Sequence, residues 1–248
     1  MIHLNNISVT FGKNTPLENS VFKDLNLEIS QGEFVTVIGG NGAGKSTLMN
    51  VLSGDILVDS GKITLDRANV TNWPTYKRAK WISRVFQDPL LGSYADLTIE
   101  ENLSLAFSRD KERTLKSSLE PGMRELFREN LAHIGIGLEN RLGDKMGLLS
   151  GGQRQAVSLL MATLRPSKIL LLDEHTAALD PKMERLILEL TQKLISEKKL
   201  TALMITHCMA QALEYGTRTL VMHHGKIVHD LASDQRNKLQ ASDLVAFF

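Results

Sequence analysis

Apolar residues recur along this chain with two different spacings. In the N-terminal part they form short runs rich in Ile, Val and Phe, separated by Gly, Pro and Asn. Ile2 and Leu4, then residues 7–11, 22–29 and 34–38, predict strands on that pattern. Residues 61–65 and 82–86 predict two more, and residues 47–52 read as helix. From about residue 99 to about residue 135 the chain becomes charged and helix-forming, with a break at Pro121-Gly122. A helix is predicted from Ser150 to about residue 164, followed by a buried strand at 169–172. Asp180-Pro181 opens a further helix, because Asp suits the N-cap and the fixed φ of Pro suits the first turn. Leu186, Ile187, Leu190, Leu194 and Ile195 give that helix an apolar stripe at helical spacing. Residues 200–205 predict a strand, and residues 219–222 and 226–228 flank Gly225 as a hairpin. Strands alternating with helices imply an α/β fold around a largely parallel sheet. Neither a repeat of solenoid period nor a low-complexity linker interrupts the pattern.

Composition narrows the class. At 248 residues the expectation is one domain carrying a subdomain, with a core large enough to need no staples. Hydrophobic residues at 42% and charged residues at 23% fit a soluble globular chain. A formal net charge of +1 lacks the footprint of a nucleic-acid binder. Cys208 is the sole cysteine, which excludes an intramolecular disulfide and fits a reducing setting. It is expected to be a small buried residue rather than a nucleophile. Residues 1–6 have no basic or apolar character of a secretory leader. Apolar runs such as 156–164 fall well short of the roughly 18 residues that span a bilayer. A membrane role would therefore be that of a peripheral subunit.

The sharpest local chemistry is Gly39-Gly40-Asn41-Gly42-Ala43-Gly44-Lys45-Ser46-Thr47, which fits the phosphate-binding loop G-x-x-x-x-G-K-[ST]. An apolar strand precedes it and a helix follows, the context in which such a loop works. Glycines let successive N–H groups curl around phosphate oxygens, and the helix N-terminus adds its positive dipole. Lys45 is expected on the β- and γ-phosphates, Ser46 on Mg²⁺ and Thr47 near the α-phosphate. The competing reading, a glycine-rich turn that binds nothing, does not account for the flanking strand and helix. A metal-holding carboxylate is then expected on a neighbouring strand. Ile169-Leu170-Leu171-Leu172-Asp173-Glu174 supplies two acids at the end of a buried strand, where ligands of open parallel sheets bind. Asp173 is the expected Mg²⁺ acid and Glu174 the base for an attacking water. Consecutive strand residues face opposite ways, so the two acids should have separate roles.

Leu149-Ser150-Gly151-Gly152-Gln153 resembles, letter for letter, the signature of the ATP-binding cassette (ABC) ATPases. Other segments match that family's motifs in order. Gln87 matches the Q-loop glutamine, Ala178-Leu179-Asp180 the D-loop and His207 the switch histidine. Phe11 falls where the family stacks an aromatic ring on adenine. The resemblance implies a P-loop (RecA-like) core, an N-terminal antiparallel β-subdomain and a helical subdomain. Residues 1–248 would form a single ABC ATPase domain, with core and β-subdomain at about 1–87 and 165–248 and the helical part at about 88–164.

It also implies ATP hydrolysis with Mg²⁺ in a head-to-tail homodimer. Ser150, Gly151, Gly152, Gln153 and Asp180 of one subunit would close on the ATP held by the other. Ser46, Gln87 and Asp173 would surround the metal, Glu174 would act as base, and His207 would hold the γ-phosphate and water. Transmembrane permease subunits and a substrate-binding protein are the implied partners, with the chain on the cytoplasmic face of the membrane. Leu90, Leu91, Tyr94 and Leu97 follow Gln87; they read either as core residues or as part of the groove that the family forms there for a coupling helix of the membrane subunit. The run 171–180 resembles importer ATPases serving aromatic amino acids. The short stretch after the His207 switch region is expected to leave no room for a large regulatory domain, and a stand-alone cassette without fused membrane spans suggests a bacterial-type assembly. A non-transport ABC ATPase of ribosomes or DNA usually carries two cassettes or a long coiled-coil insertion. A regulatory module without turnover would not need Glu174 and His207.

One departure stands out. Most relatives have Pro after the catalytic Glu, and this chain has His175; a tolerated loop substitution is the simpler expectation, a titrating group the sharper one. His223, His224 and His229 are expected to be solvated hairpin residues rather than metal ligands. Residues 109–116 are expected to form a solvated charged face.

Overall fold

A computed structural model describes residues 1–109 and 122–247. Two sheets organise them. Strands β1 (Ile2–Phe11) and β2 (Asn19–Ile29) pair antiparallel, and β3 (Phe34–Gly39) leaves them for the second sheet. After α1 (Lys45–Ser53), β4 (Ser60–Leu65) and β5 (Ala68–Asn69) return to the first sheet, whose order is β2-β1-β4-β5. A short α2 (Thr75–Arg78) leads to β6 (Ile82–Val85), then to a 3₁₀ turn at Pro89–Gly92. The expected helical stretch is observed as α3 (Ile99–Phe107) and α4 (Met123–Ala132). Helix α5 (Gly151–Thr163), β7 (Ile169–Asp173), α6 (Pro181–Lys198), β8 (Thr201–Ile205) and α7 (Met209–Glu214) follow. The hairpin β9 (Arg218–His223) and β10 (Lys226–Leu231) and the short helices α8 (Ser233–Arg236) and α9 (Ala241–Val245) complete the described chain.

The second sheet has the order β10-β9-β3-β8-β7-β6, parallel except for its terminal hairpin. Its central strands β3, β8 and β7 are buried on both faces, as a sheet covered on both sides requires. The pleat sends Ile169, Leu171, Leu203 and Ile205 into a core shared with α1 and the antiparallel sheet. It sends Leu170, Leu172, Ala202 and Met204 into a second core with α5 and α6. A third core joins Ile99, Leu103, Phe127, Leu131 and Met146 around the helical part. Helix α5 serves two of these cores, Leu159 and Ala162 facing the sheet while Val157 and Leu160 face the helices.

Three expectations change in detail. The buried stripe of α6 is Ile187, Leu188, Thr191 and Ile195, so it includes a polar residue. Arg109 is not a solvated charge, because its Nη1 donates to Ser83 Oγ at 2.6 Å; residues 110–116 lie outside the described residues. Cys208 is exposed rather than buried. It caps α7 at the point where the chain leaves β8, and its N–H donates to Thr206 Oγ1 at 3.1 Å.

Two helix ends are closed by buried arginines that no local pattern announced. Arg78, 1% exposed, donates from Nη1 to the carbonyls of Val51 and Leu52 in the last turn of α1, and from Nε and Nη2 to Trp73 and Thr71. Burial lowers its pKa to about 10. Arg236 does the same for the carbonyls of Ala212 and Leu213 in α7 and of Tyr215 and Gly216 just after it. Such contacts satisfy carbonyls that a helix end leaves without partners.

Candidate functional site

The parallel sheet brings three loops together at the C-terminal ends of adjacent strands. The glycine-rich loop leaves β3, His207 follows β8 and Glu174 follows β7. The carboxylate strand β7 is not the immediate neighbour of β3, as the sequence reading assumed; β8 lies between them and puts His207 in the middle. A cavity of about 250 Å³ opens there, lined by Asn41, Gly42, Ala43, Gly44, Lys45, Ser46 and Thr47 with Glu174, His207, Asn19 and Val21. Larger cavities lie elsewhere, one of about 550 Å³ beside the start of β3. Among the described residues, the β3 cavity joins the glycine-rich loop and a lysine to a hydroxyl, a carboxylate and an imidazole.

Gly44 shows why the loop needs glycine. Its φ is +101°, and a Cβ there would lie 2.8 Å from the Phe22 ring. It caps α1 without any side-chain hydrogen bond to the first-turn amides, so those donors face the cavity in the manner of an anion site. Lys45 is buried, and its Nζ donates to the carbonyls of Gly39 at 2.7 Å and Gly40 at 3.0 Å. Burial lowers its pKa, and the charges of Glu174 and Asp173 work against that shift. From the other side the β9–β10 turn braces the loop, Gly225 N–H donating to Ala43 O at 3.0 Å.

The two acids have different partners. Glu174 leaves the strand with φ +47°, a left-handed backbone uncommon for a side chain of this kind. Its Oε1 lies 2.6 Å from His207 Nε2, which must therefore carry the proton of that contact. Asp173 instead meets Arg84, with Nη2 to Oδ2 at 2.6 Å. Arg84 also donates to Asn50 Oδ1 at 2.8 Å and pairs with Asp55 at 3.1 Å, so it ties β6 and β7 to the end of α1.

Other predicted residues lie apart from this cavity. Gln87 is exposed after β6 and lines a separate cavity of about 500 Å³ with Gly151, Gln155, His175, Ala178 and Leu179. Ser150 caps α5, its Oγ accepting from Gln153 N at 3.3 Å while Gln153 Oε1 accepts from Ser150 N at 3.1 Å. Gly152 packs on Met183 of α6, where a Cβ would come within 2.7 Å of the Met side chain. Asp180 caps α6, accepting from the N–H groups of Lys182 and Met183. No signature residue lines the β3 cavity. Phe11 ends β1, 41% exposed, and pairs with Asn19 at the cavity rim.

His175 is a buried loop residue and not the group titrating near neutrality that the sharper expectation allowed. It is 2% exposed, and burial lowers its pKa to about 4. Its Nε2 lies 3.1 Å from Thr191 Oγ1 on α6. His223 and His224 are exposed on the hairpin turn and meet edge to face, while His229 stacks on Phe247. Among the described residues no three His, Cys, Asp or Glu side chains gather as a metal group.

Sequence reasoning missed Arg84, Gln155 and Thr191. Gln155 is buried and donates from Nε2 to Phe86 O at 3.1 Å, tying the signature helix to the segment before Gln87. The available signal was a polar residue on an otherwise apolar face.

Glycine loop, buried lysine, paired carboxylates and strand order together define a P-loop nucleotide hydrolase. The family model described as ABC transporter matches residues 22–177, and the chain belongs to that family. It is 44% identical over 248 residues to the tyrosine transport ATP-binding protein of Clostridioides difficile (strain R20291), covering 100% of this chain and 98% of that protein. It is 34% identical over 230 residues to the spermidine/putrescine import ATP-binding protein of Haemophilus influenzae, spanning 93% of this chain and 57% of that longer one. Among solved structures, a dimeric post-hydrolysis state of the ATP-binding cassette MJ0796, bound to ADP and Pi, superposes with a TM-score of 0.81. It is 28% identical and covers 94% of this chain and 99% of that one. The chain is thus an ATP-binding, ATP-hydrolysing subunit of ABC transporter type. No helix among the described residues is long and apolar enough to cross a membrane.

Proposed function

We propose that two copies of this chain hydrolyse ATP at a head-to-tail interface and so drive import of an aromatic amino acid through separate permease subunits, with a substrate-binding protein delivering the cargo. The observation that carries the cargo is the 44% identity to a tyrosine transport ATP-binding protein over the full length of this chain. The dimer rests on the separation of the signature from the chain's own phosphate cavity. Ser150, Gly151 and Gly152 form an exposed-to-buried helix start built like an anion site, and a second copy's γ-phosphate is what it would meet. Asp180, at the exposed cap of α6, would read the state of the opposite site.

Within one site, Lys45 turns from its loop carbonyls to the β- and γ-phosphates as those oxygens replace them. Glu174 orients the attacking water and takes its proton, and His207, already on Oε1, holds the carboxylate and the γ-phosphate in register. Phe11 offers its ring to adenine at the cavity rim. The donors fit Mg²⁺, a hard cation that prefers oxygen: Ser46 brings a hydroxyl to the cavity, and Asp173, paired with Arg84 through Oδ2, would bring a carboxylate from the end of β7. Bound Mg²⁺ would neutralise charge on the β- and γ-oxygens. Gln87 would join this set on a movement of its loop, which makes it a sensor rather than a fixed ligand. Leu90, Leu91 and Tyr94 are exposed beside it and would receive the permease, the chain docking on the cytoplasmic face. Residues 88–164 would move as the helical unit against 1–87 and 165–248, with α5 as the shared element.

Uptake of labelled tyrosine tests this. Cells carrying Glu174→Gln in place of the native chain should lose the saturable tyrosine component and keep uptake of a basic amino acid. Unchanged tyrosine uptake would overturn the cargo.

A further inference from the structure

Glu174 holds a left-handed backbone at φ +47°, a strained conformation for a residue with a side chain. It persists only where the surroundings over-determine it. Its N–H donates to Ile205 O of β8 at 3.2 Å, and its carbonyl accepts from Ala177 N at 3.0 Å. At the far end of the same segment Asp180 is fixed on the first turn of α6. Between these points the chain is held by His175, whose ring reaches the middle of α6.

The hydrogen-bond inventory at that contact fixes the ring. Thr191 is 1% exposed, and its hydroxyl donates to Ile187 O at 2.7 Å. A hydroxyl has one proton, so only a lone pair is left toward the imidazole. Nε2 at 3.1 Å must then be the donor, and the ring is held as the neutral Nε2–H tautomer. A polar pair buried on the apolar stripe of α6 is an unusual choice where Leu or Val would pack. It yields one directional contact, one residue from Glu174.

We propose that His175 is a positioning residue, which through Thr191 locks the turn carrying Glu174 to α6 and so sets where the Glu174 carboxylate stands. The inference rests on the reading of Glu174 as the base. A hydrophobic side chain would fill the space without fixing the angle of the turn. Misplacement of a reacting group by about 1 Å costs up to about 100-fold, so a looser turn should cost about tenfold in kcat.

Steady-state ATP hydrolysis by the purified full chain tests it. His175→Leu and Thr191→Val should each lower kcat about tenfold with KM for ATP within about twofold, the pattern of lost transition-state positioning. The double variant should be no slower than either single one, since both break one contact. His175→Gln, whose Nε2 donor reaches to a similar depth, should recover kcat to within about threefold. A wild-type kcat in His175→Leu, additive losses in the double variant, or a His175→Gln as slow as His175→Leu would overturn the proposal. If the Leu variant melts out, Thr191→Val and His175→Gln carry the test with the same criteria. Glu174→Gln separates the two readings. Retained turnover there would overturn the base itself, whereas abolished turnover there beside an undisturbed His175→Leu would overturn only the positioning role.

Discussion

Lys45 is held between opposing influences. Burial disfavours its charge, two carboxylates restore it, and two loop carbonyls occupy its donors. Phosphate oxygens are better partners for a desolvated ammonium than neutral carbonyls, because hydrogen bonds to charged groups are worth about 1.5–3 kcal/mol each. Lys45→Met should therefore weaken ATP binding by about 10- to 100-fold in an equilibrium titration with a fluorescent ATP analogue. An affinity within twofold of the native chain would contradict that role. His175 makes the second residue-level prediction. Its folded pKa is depressed from 6.5 to about 4 by burial alone. Below about pH 6.5 the unfolded chain takes up a proton that the folded chain refuses, so stability present at neutral pH is lost as pH falls toward 4. The loss should approach about 3 kcal/mol near pH 4. Urea midpoints of nucleotide- and metal-free protein at pH 7 and pH 4.5 check it against His175→Gln, which should fall less steeply. Parallel slopes for the two chains would contradict it. The role of His175 was not legible in the sequence, because its partner Thr191 lies 16 positions away on a stripe read as apolar. Arg84 was hidden for the same reason: strand pairing alone brings it to Asp173.

At the scale of elements, local chemistry was readable wherever one residue acts on its own neighbours. Asp180-Pro181 opens α6 as expected, and Ser150 and Gln153 form a reciprocal cap at the head of α5. Thr98 and Glu101 form the same box on α3, Thr98 N–H donating to Glu101 Oε2 at 2.7 Å and Glu101 N–H to Thr98 Oγ1 at 3.2 Å. Thr98 is remote from the phosphate cavity, so Thr98→Ala should cost about 1 kcal/mol, or about 2–4 °C in Tm, with kcat unchanged. A larger thermal loss would mean that the box supports more than its own helix. Arg78 works across elements, and Arg78→Leu should cost more, about 3 kcal/mol or above, because several buried carbonyls lose their donor together. Calorimetry ranks the two variants; equal losses would contradict the capping role of Arg78. Short elements such as α2, α8 and α9 escaped the sequence reading because four or five residues carry too little periodicity to register.

For the whole molecule, the alternation of strands and helices announced a parallel sheet but not its order. The order β3-β8-β7 is what puts His207 between the phosphate loop and Glu174. It also leaves the signature helix facing away, beside Gln87 and His175 rather than over the chain's own phosphate loop. On the proposed reading, the start of α5 is a second anion-binding helix start that does not line the chain's own phosphate cavity, and a second copy would bring it a nucleotide. In the proposed dimer the γ-phosphate would bind the two halves together until hydrolysis releases them. Light scattering on the Glu174→Gln chain with saturating Mg²⁺ and ATP measures this directly. A particle of twice the chain mass that reverts to the single mass with ADP is the expected result. A chain that binds ATP at saturation and keeps the single mass would contradict it.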